Sequence, residues 1–288
     1  MDAVAFAIRF GGSMLLGYNT NGLSHHTLVD AIELLAEIGY PSVAITIDHG
    51  SLSPRSPTLA AEVAAIKQLL ARLDMRSVIE TGARFLLDRN VKHEPTLVSP
   101  GSEARERRIA FYRHAIDVAA ELGSDCVSLW SGVVRDGAPD EAAWRRLTVG
   151  LSRVVEYAEQ RNMKIGFEPE PGMFIDTMEK FDELRRRVAS DSLRLTLDIG
   201  HLHCQGQLPE ADYIERYASQ LVNVHLEDMR PGVHEHLPFG EGTMNFPPIL
   251  EALEKHYAGG VHVELSRHSH DGPNMARRAY EFLTSLRR

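Results

Sequence analysis

Eight times along this 288-residue chain, a short run of branched and aromatic residues gives way to a segment with helical periodicity. That alternation constrains the fold more than any single motif, because strands separated by helices are joined by crossovers and lie parallel. The strand candidates are Ala3 to Ile8, Ser42 to Ile47, Arg76 to Glu80, Cys126 to Trp130, Lys164 to Phe167, Leu193 to Leu197, Leu221 to Leu226 and Gly260 to Leu265. Most are nearly continuous in Val, Ile, Leu and Phe, which suits strands covered on both faces. The stretch "TLVDAIELLAEIGY" shows the helical half of a unit. Leu28, Ile32, Leu35 and Ile38 recur every three to four residues, and Gly39 stands where a helix stops.

Eight such units in a chain of this length match an α/β fold, the (β/α)8 or TIM barrel, as a single domain over residues 1–288. An open doubly wound sheet would carry a Gly-rich turn after its first strand. Here Gly11 and Gly12 lead into "SMLLGYNTNG", which has no G-x-G-x-x-G. The longest irregular stretch, Gly82 to Gly101, reads as a loop over the barrel mouth.

A formal charge of -9 argues against a nucleic-acid partner, since a phosphate backbone selects a basic surface. No apolar run approaches the roughly 18 residues of a membrane span, and Met1 leads into no signal-peptide pattern. Cys126 and Cys204 are too few for a disulfide framework. These features set the expectation of a cytoplasmic protein that binds neither membrane nor nucleic acid.

In a barrel, residues at the C-terminal strand ends converge on one face. Glu168 follows the fifth strand, Asp198 ends "LTLDIGH", His225 lies in "VNVHLED" and Glu264 in "VHVELS". Three carboxylates and an imidazole with no thiolate form a hard, oxygen-rich set for one divalent cation. Manganese, magnesium or cobalt suits it, and zinc is compatible. Without a cation the carboxylates would repel and at least one would be driven to protonate.

The segments "GFEPEPG", "LTLDIGHLH", "VNVHLEDMR", "FGEGTMNF" and "VHVELS" make the chain resemble the xylose-isomerase-like barrel superfamily, in particular its sugar phosphate isomerase/epimerase and ketose 3-epimerase branch. The resemblance implies that Glu168, Asp198, His225 and Glu264 bind one divalent metal, manganese first, and that Glu168 and Glu264 are the proton-transfer pair. It further implies that His201, in D-x-x-H, contacts substrate oxygens, as would Arg230. Relatives are commonly dimers or tetramers, so a homo-oligomer is the corresponding expectation here.

Departures from the pattern matter too. The ketose 3-epimerases place a further substrate-contacting glutamate a few residues after the fifth-strand ligand, whereas this chain reads "PEPGMFI", with only Glu170 nearby. Glu80, ending the third strand, and His93, in "RNVKHEPTLVSP", are further candidate pocket residues; His203 and Cys204 read as structural. The expected function is an isomerase or epimerase of a small polyhydroxylated ketone, sugar or cyclitol, working through an enediolate. The alternatives are a dehydratase of an inosose or dehydroshikimate-like substrate and a non-catalytic sugar-binding barrel. A nuclease would require more metal-binding histidines and a basic groove.

Overall fold

The computed structural model describes residues 14–286. Its barrel strands are β1 (Leu15–Asn19), β2 (Ser42–Thr46), β3 (Arg76–Glu80), β4 (Val127–Trp130), β5 (Ile165–Glu168), β6 (Leu193–Asp198), β7 (Leu221–Leu226) and β10 (Gly260–Val263). They close in the order β1-β10-β7-β6-β5-β4-β3-β2, a parallel eight-stranded TIM barrel. Between β7 and β10 the chain makes a two-stranded antiparallel hairpin, β8 (Asp228–Arg230) and β9 (Val233–Leu237).

The helices are α1 (Leu28–Ile38), α2 (Leu59–Leu73), α3 (Ser102–Leu122), α4 (Asp140–Gln160), α5 (Met178–Val188), α6 (Ile199–Cys204), α7 (Glu210–Tyr217), α8 (Phe246–His256) and α9 (Gly272–Ser285). α1 forms where its periodicity predicts. The Thr27 side chain accepts from the Asp30 amide at its start, and Gly39, at φ 115°, closes its end by donating to the Leu35 and Ala36 carbonyls.

The first strand differs from the sequence expectation. Ala3 to Ile8 lies outside the described residues, and the strand that pairs with β10 and β2 is Leu15–Asn19. Its sequence, LLGYN, is broken by Gly17 and looks weaker. The glycine is required because a Cβ there would stand 2.2 Å from Cδ2 of His262.

The chain forms two compact units, whose boundaries fall inside β2, α2, β3 and β6. Of the described residues, one takes 14–45, Ile66–Ser77 and 197–286; the other takes Thr46–Ala65 and Val78–Thr196. In the first, Leu16, Tyr18, Val43, Val224, Leu226, Val261 and Val263 are buried. In the second, Val78, Val127, Leu129, Ile165, Phe167, Leu193 and Leu195 are buried, as parallel strands covered on both faces require. Among the described residues, no helix is long and apolar enough to cross a membrane.

Candidate metal centre

Asp198 is the last residue of β6 and also caps α6, its Oδ1 accepting from the His201 amide at 2.9 Å. That capping bond turns the other oxygen inward. Oδ2 is buried, 3.4 Å from His201 Nε2 and 4.0 Å from His225 Nδ1, and the carboxyl also faces that of Glu227. His225, on β7, in turn places Nδ1 3.1 Å from Glu264 Oε2. Asn21, in the turn after β1, donates from Nδ2 to Glu264 Oε1 at 2.7 Å and fixes that carboxylate.

These groups titrate against one another. Burial pushes the Asp198 carboxyl up, but the imidazoles of His201, His236 and His225 outweigh it and hold the group well below the usual range. Glu264 behaves alike, raised by burial and more strongly lowered by His225 and His236. Glu227, fully buried, goes the other way: burial and then Asp198 push its carboxyl well above the usual range. A Cβ on Gly200 would stand 2.0 Å from Glu227 Oε1, so only glycine lets α6 approach that carboxyl.

Behind His225 runs a buried polar chain. Ser42 Oγ lies 2.9 Å from His262 Nε2, His262 Nδ1 lies 2.8 Å from Asn223 Oδ1, and Asn223 Nδ2 lies 3.1 Å from His225 Nε2. It fixes the ring plane and the direction in which Nδ1 points.

His201 is buried on α6 as a neighbour of Asp198, and its Nε2 meets His234 Nε2 at 3.0 Å. His236 Nε2 lies 3.3 Å from the same His234 atom. Sequence reasoning counted a single strong histidine ligand, His225, and missed this second group. The available signal was "HEH", two histidines two apart and hence on one face of a strand. Arg230 is exposed on β8 and donates to the Glu241 carbonyl at 2.7 Å, which ties the hairpin to the G-E-G loop. Asp228 anchors the same loop, accepting from the amides of Gly240, Gly242 and Met244.

In the second unit, Glu168 is the last residue of β5, buried and in register with Trp130 on β4. Glu80, also buried, ends β3. His93 packs edge-on against Trp130 and donates from Nδ1 to the Gly82 carbonyl at 2.6 Å. Burial is the main cause that brings its pKa from 6.5 down to about 4. The 82–101 loop is pinned by the fully buried Arg108, which donates to the carbonyls of Pro95, Thr81 and His93 and lies against Phe111, Tyr112 and Trp130.

The model of the xylose isomerase-like TIM barrel family matches residues 32–286. The chain belongs to that family. Among curated relatives, an uncharacterised protein of Methanocaldococcus jannaschii is 31% identical over 181 residues, which is 58% of this chain but only 59% of that protein's length. An inosose dehydratase of Clostridium botulinum is 27% identical over 226 residues, 69% of this chain and 73% of that enzyme. Among solved structures, a D-tagatose 3-epimerase-like protein superposes with a TM-score of 0.74 at 23% identity, covering 94% of this chain and 99% of its own. An IOLI protein with a binding zinc atom gives 0.74 at 16% identity, covering 95% and 98%. At these identities the structural likenesses establish the shared (β/α)8 fold.

Proposed function

We propose that this chain is a divalent-metal-dependent isomerase or epimerase that moves a proton at the carbon beside the carbonyl of a small polyhydroxylated ketone, a sugar or a cyclitol. The observation that carries the reading is the convergence of Asp198, His225 and Glu264, with the Asp198 carboxylate buried and its Oδ2 lone pairs facing the cluster. A lone pair left so in a protein interior is costly unless something takes it up. A cation held by these residues would do so.

Glu168 is the proposed fourth ligand, on the strength of its place as the buried last residue of β5, next in the sheet to β6. The oxygen-rich set favours manganese, magnesium or cobalt, while the zinc of the IOLI protein keeps zinc in view. When bound, such an ion polarises a carbonyl oxygen and acidifies the neighbouring C–H. The chain's part is to supply and orient the bases. Asn21 and His225 hold Glu264 ionised and directed, so it can take a proton, and Glu168 is proposed to return it from another strand.

A dehydratase is the second reading, favoured by the similarity to the C. botulinum inosose dehydratase. Incubating the metal-loaded protein with ketoses and inososes in heavy water tests both. Deuterium gained at one carbon, lost by about 10²–10⁴-fold in Glu264→Gln and Glu168→Gln, is the expected outcome. Unchanged product mass apart from the label assigns an epimerase or isomerase, and loss of water assigns a dehydratase. Exchange that survives both substitutions would refute the roles given to the two glutamates.

A further inference from the structure

We propose that the groove between α3 and α4 binds the phosphate group of a small phosphorylated metabolite, on Arg105, Arg145, Arg146 and Arg153. The groove has a volume of about 440 Å³, which is the size of a small-molecule site. Arg105 and Ile109 face it from α3, one turn apart, and Arg145, Val149 and Arg153 face it from successive turns of α4. At Gly150 a Cβ would stand 3.0 Å from Leu97 Cδ2, so the glycine lets α4 lie close and bare backbone joins the lining.

Two of the four arginines already have a counter-charge. Arg153 grips Glu106 with both terminal nitrogens, Nη2 to Oε2 at 2.9 Å, and Arg146 pairs with Asp136 at 2.9 Å. The other two keep theirs uncompensated. Arg105 Nη1 donates to the Ser99 and Pro100 carbonyls, both at 2.7 Å, and a carbonyl accepts a hydrogen bond without cancelling the charge. Arg145 is exposed and makes no ion pair among the described residues. With Glu106 and Asp136 set against four arginines, the groove keeps about two positive charges in a chain whose formal charge is -9. A phosphate monoester carries about -1.5 to -2 at pH 7 and offers three acceptor oxygens, which guanidinium groups bind in pairs. Ile109 and Val149, the latter 60% exposed, supply apolar contact for the carbon part of such a ligand. Arg146 also donates to the Val98 carbonyl at 3.2 Å, so the side chains that would hold the phosphate also hold residues 98–100, the end of the 82–101 loop. The inference stands on α3 and α4 and does not depend on the proposed reaction.

The test is calorimetric titration of the protein with fructose 6-phosphate, inorganic phosphate and fructose at constant ionic strength. Fructose 6-phosphate is expected to bind more tightly than inorganic phosphate. Its affinity should fall about tenfold or more in Arg105→Gln with Arg145→Gln, as loss of charge-assisted hydrogen bonds implies, and hold in Arg72→Gln, an exposed arginine of α2 paired with Glu33. Arg105 also braces the loop, so Arg145→Glu is the second variant. It breaks no ion pair and should lose the same affinity while keeping the wild-type melting temperature. Amide exchange should slow on addition of fructose 6-phosphate within residues 98–109 and 145–153. The inference is overturned by fructose 6-phosphate binding no better than inorganic phosphate or fructose, by an affinity unchanged in Arg145→Glu, by an equal loss in Arg72→Gln, or by exchange slowed only around Asp198, His225 and Glu264. A poly-glutamate peptide that binds more tightly than fructose 6-phosphate also overturns it and assigns the groove to an acidic protein surface.

Discussion

Asn223 shows how a residue that touches no reacting atom can govern the centre. As oriented, its amide nitrogen donates to His225 Nε2, which places that ring's proton on Nδ1, facing Glu264. For Nδ1 to offer a lone pair, the proton must sit on Nε2 and the amide must turn its oxygen there. His262 and Ser42 can follow, because imidazole and hydroxyl both donate and accept. Asn223→Leu removes this adaptability and is expected to weaken metal binding about 10–100-fold, measured by titration of the stripped protein. Unchanged affinity would mean that packing alone orients His225. At Gly200, an added methyl meets Glu227 Oε1. Gly200→Ala should therefore cost about 1–3 kcal/mol, read from the urea midpoint, with no loss if α6 can shift freely.

Among the elements, the 82–101 loop carries a pH dependence of its own. His93 has its pKa brought down to about 4 in the fold, mainly by burial, from 6.5. The unfolded chain then binds more protons between those values, so stability contributed by the neutral ring is present above about pH 6.5 and is lost as pH falls toward 4. The loss is at most about 3 kcal/mol. His93→Asn suits the site, since φ is 69° and asparagine tolerates the left-handed region. Thermal melts between pH 7 and 4.5 should fall less steeply for this variant than for wild type; parallel curves would place the dependence elsewhere. The β8–β9 hairpin explains what sequence reading missed. Its strands are short and polar, "DMR" and "VHEHL", with no apolar alternation to announce them, so His234 and His236 were not placed on a strand at all. The positions of Asp198, His225 and Glu264 were legible because each lies at or beside the C-terminal end of an apolar barrel strand.

For the whole molecule, seven of the eight barrel strands were legible because burial on both faces writes itself as continuous apolar sequence. The eighth, β1, was obscured by Gly17, whose missing side chain makes room for the His262 ring. The same buried polar interior links metal binding to global stability. An ion that binds the folded chain alone stabilises it by RT ln(1 + [M]/Kd), about 1.4 kcal/mol for each tenfold rise in free metal above Kd at one site. Unfolding free energy measured in metal buffers should therefore rise by about 1.4 kcal/mol per decade where the proposed carboxylate-rich centre is saturated, and stay flat in the Glu264→Gln, His225→Asn protein. A chelator should remove the dependence from wild type. A wild-type slope that those two substitutions leave unchanged would place the ion away from Asp198, His225 and Glu264.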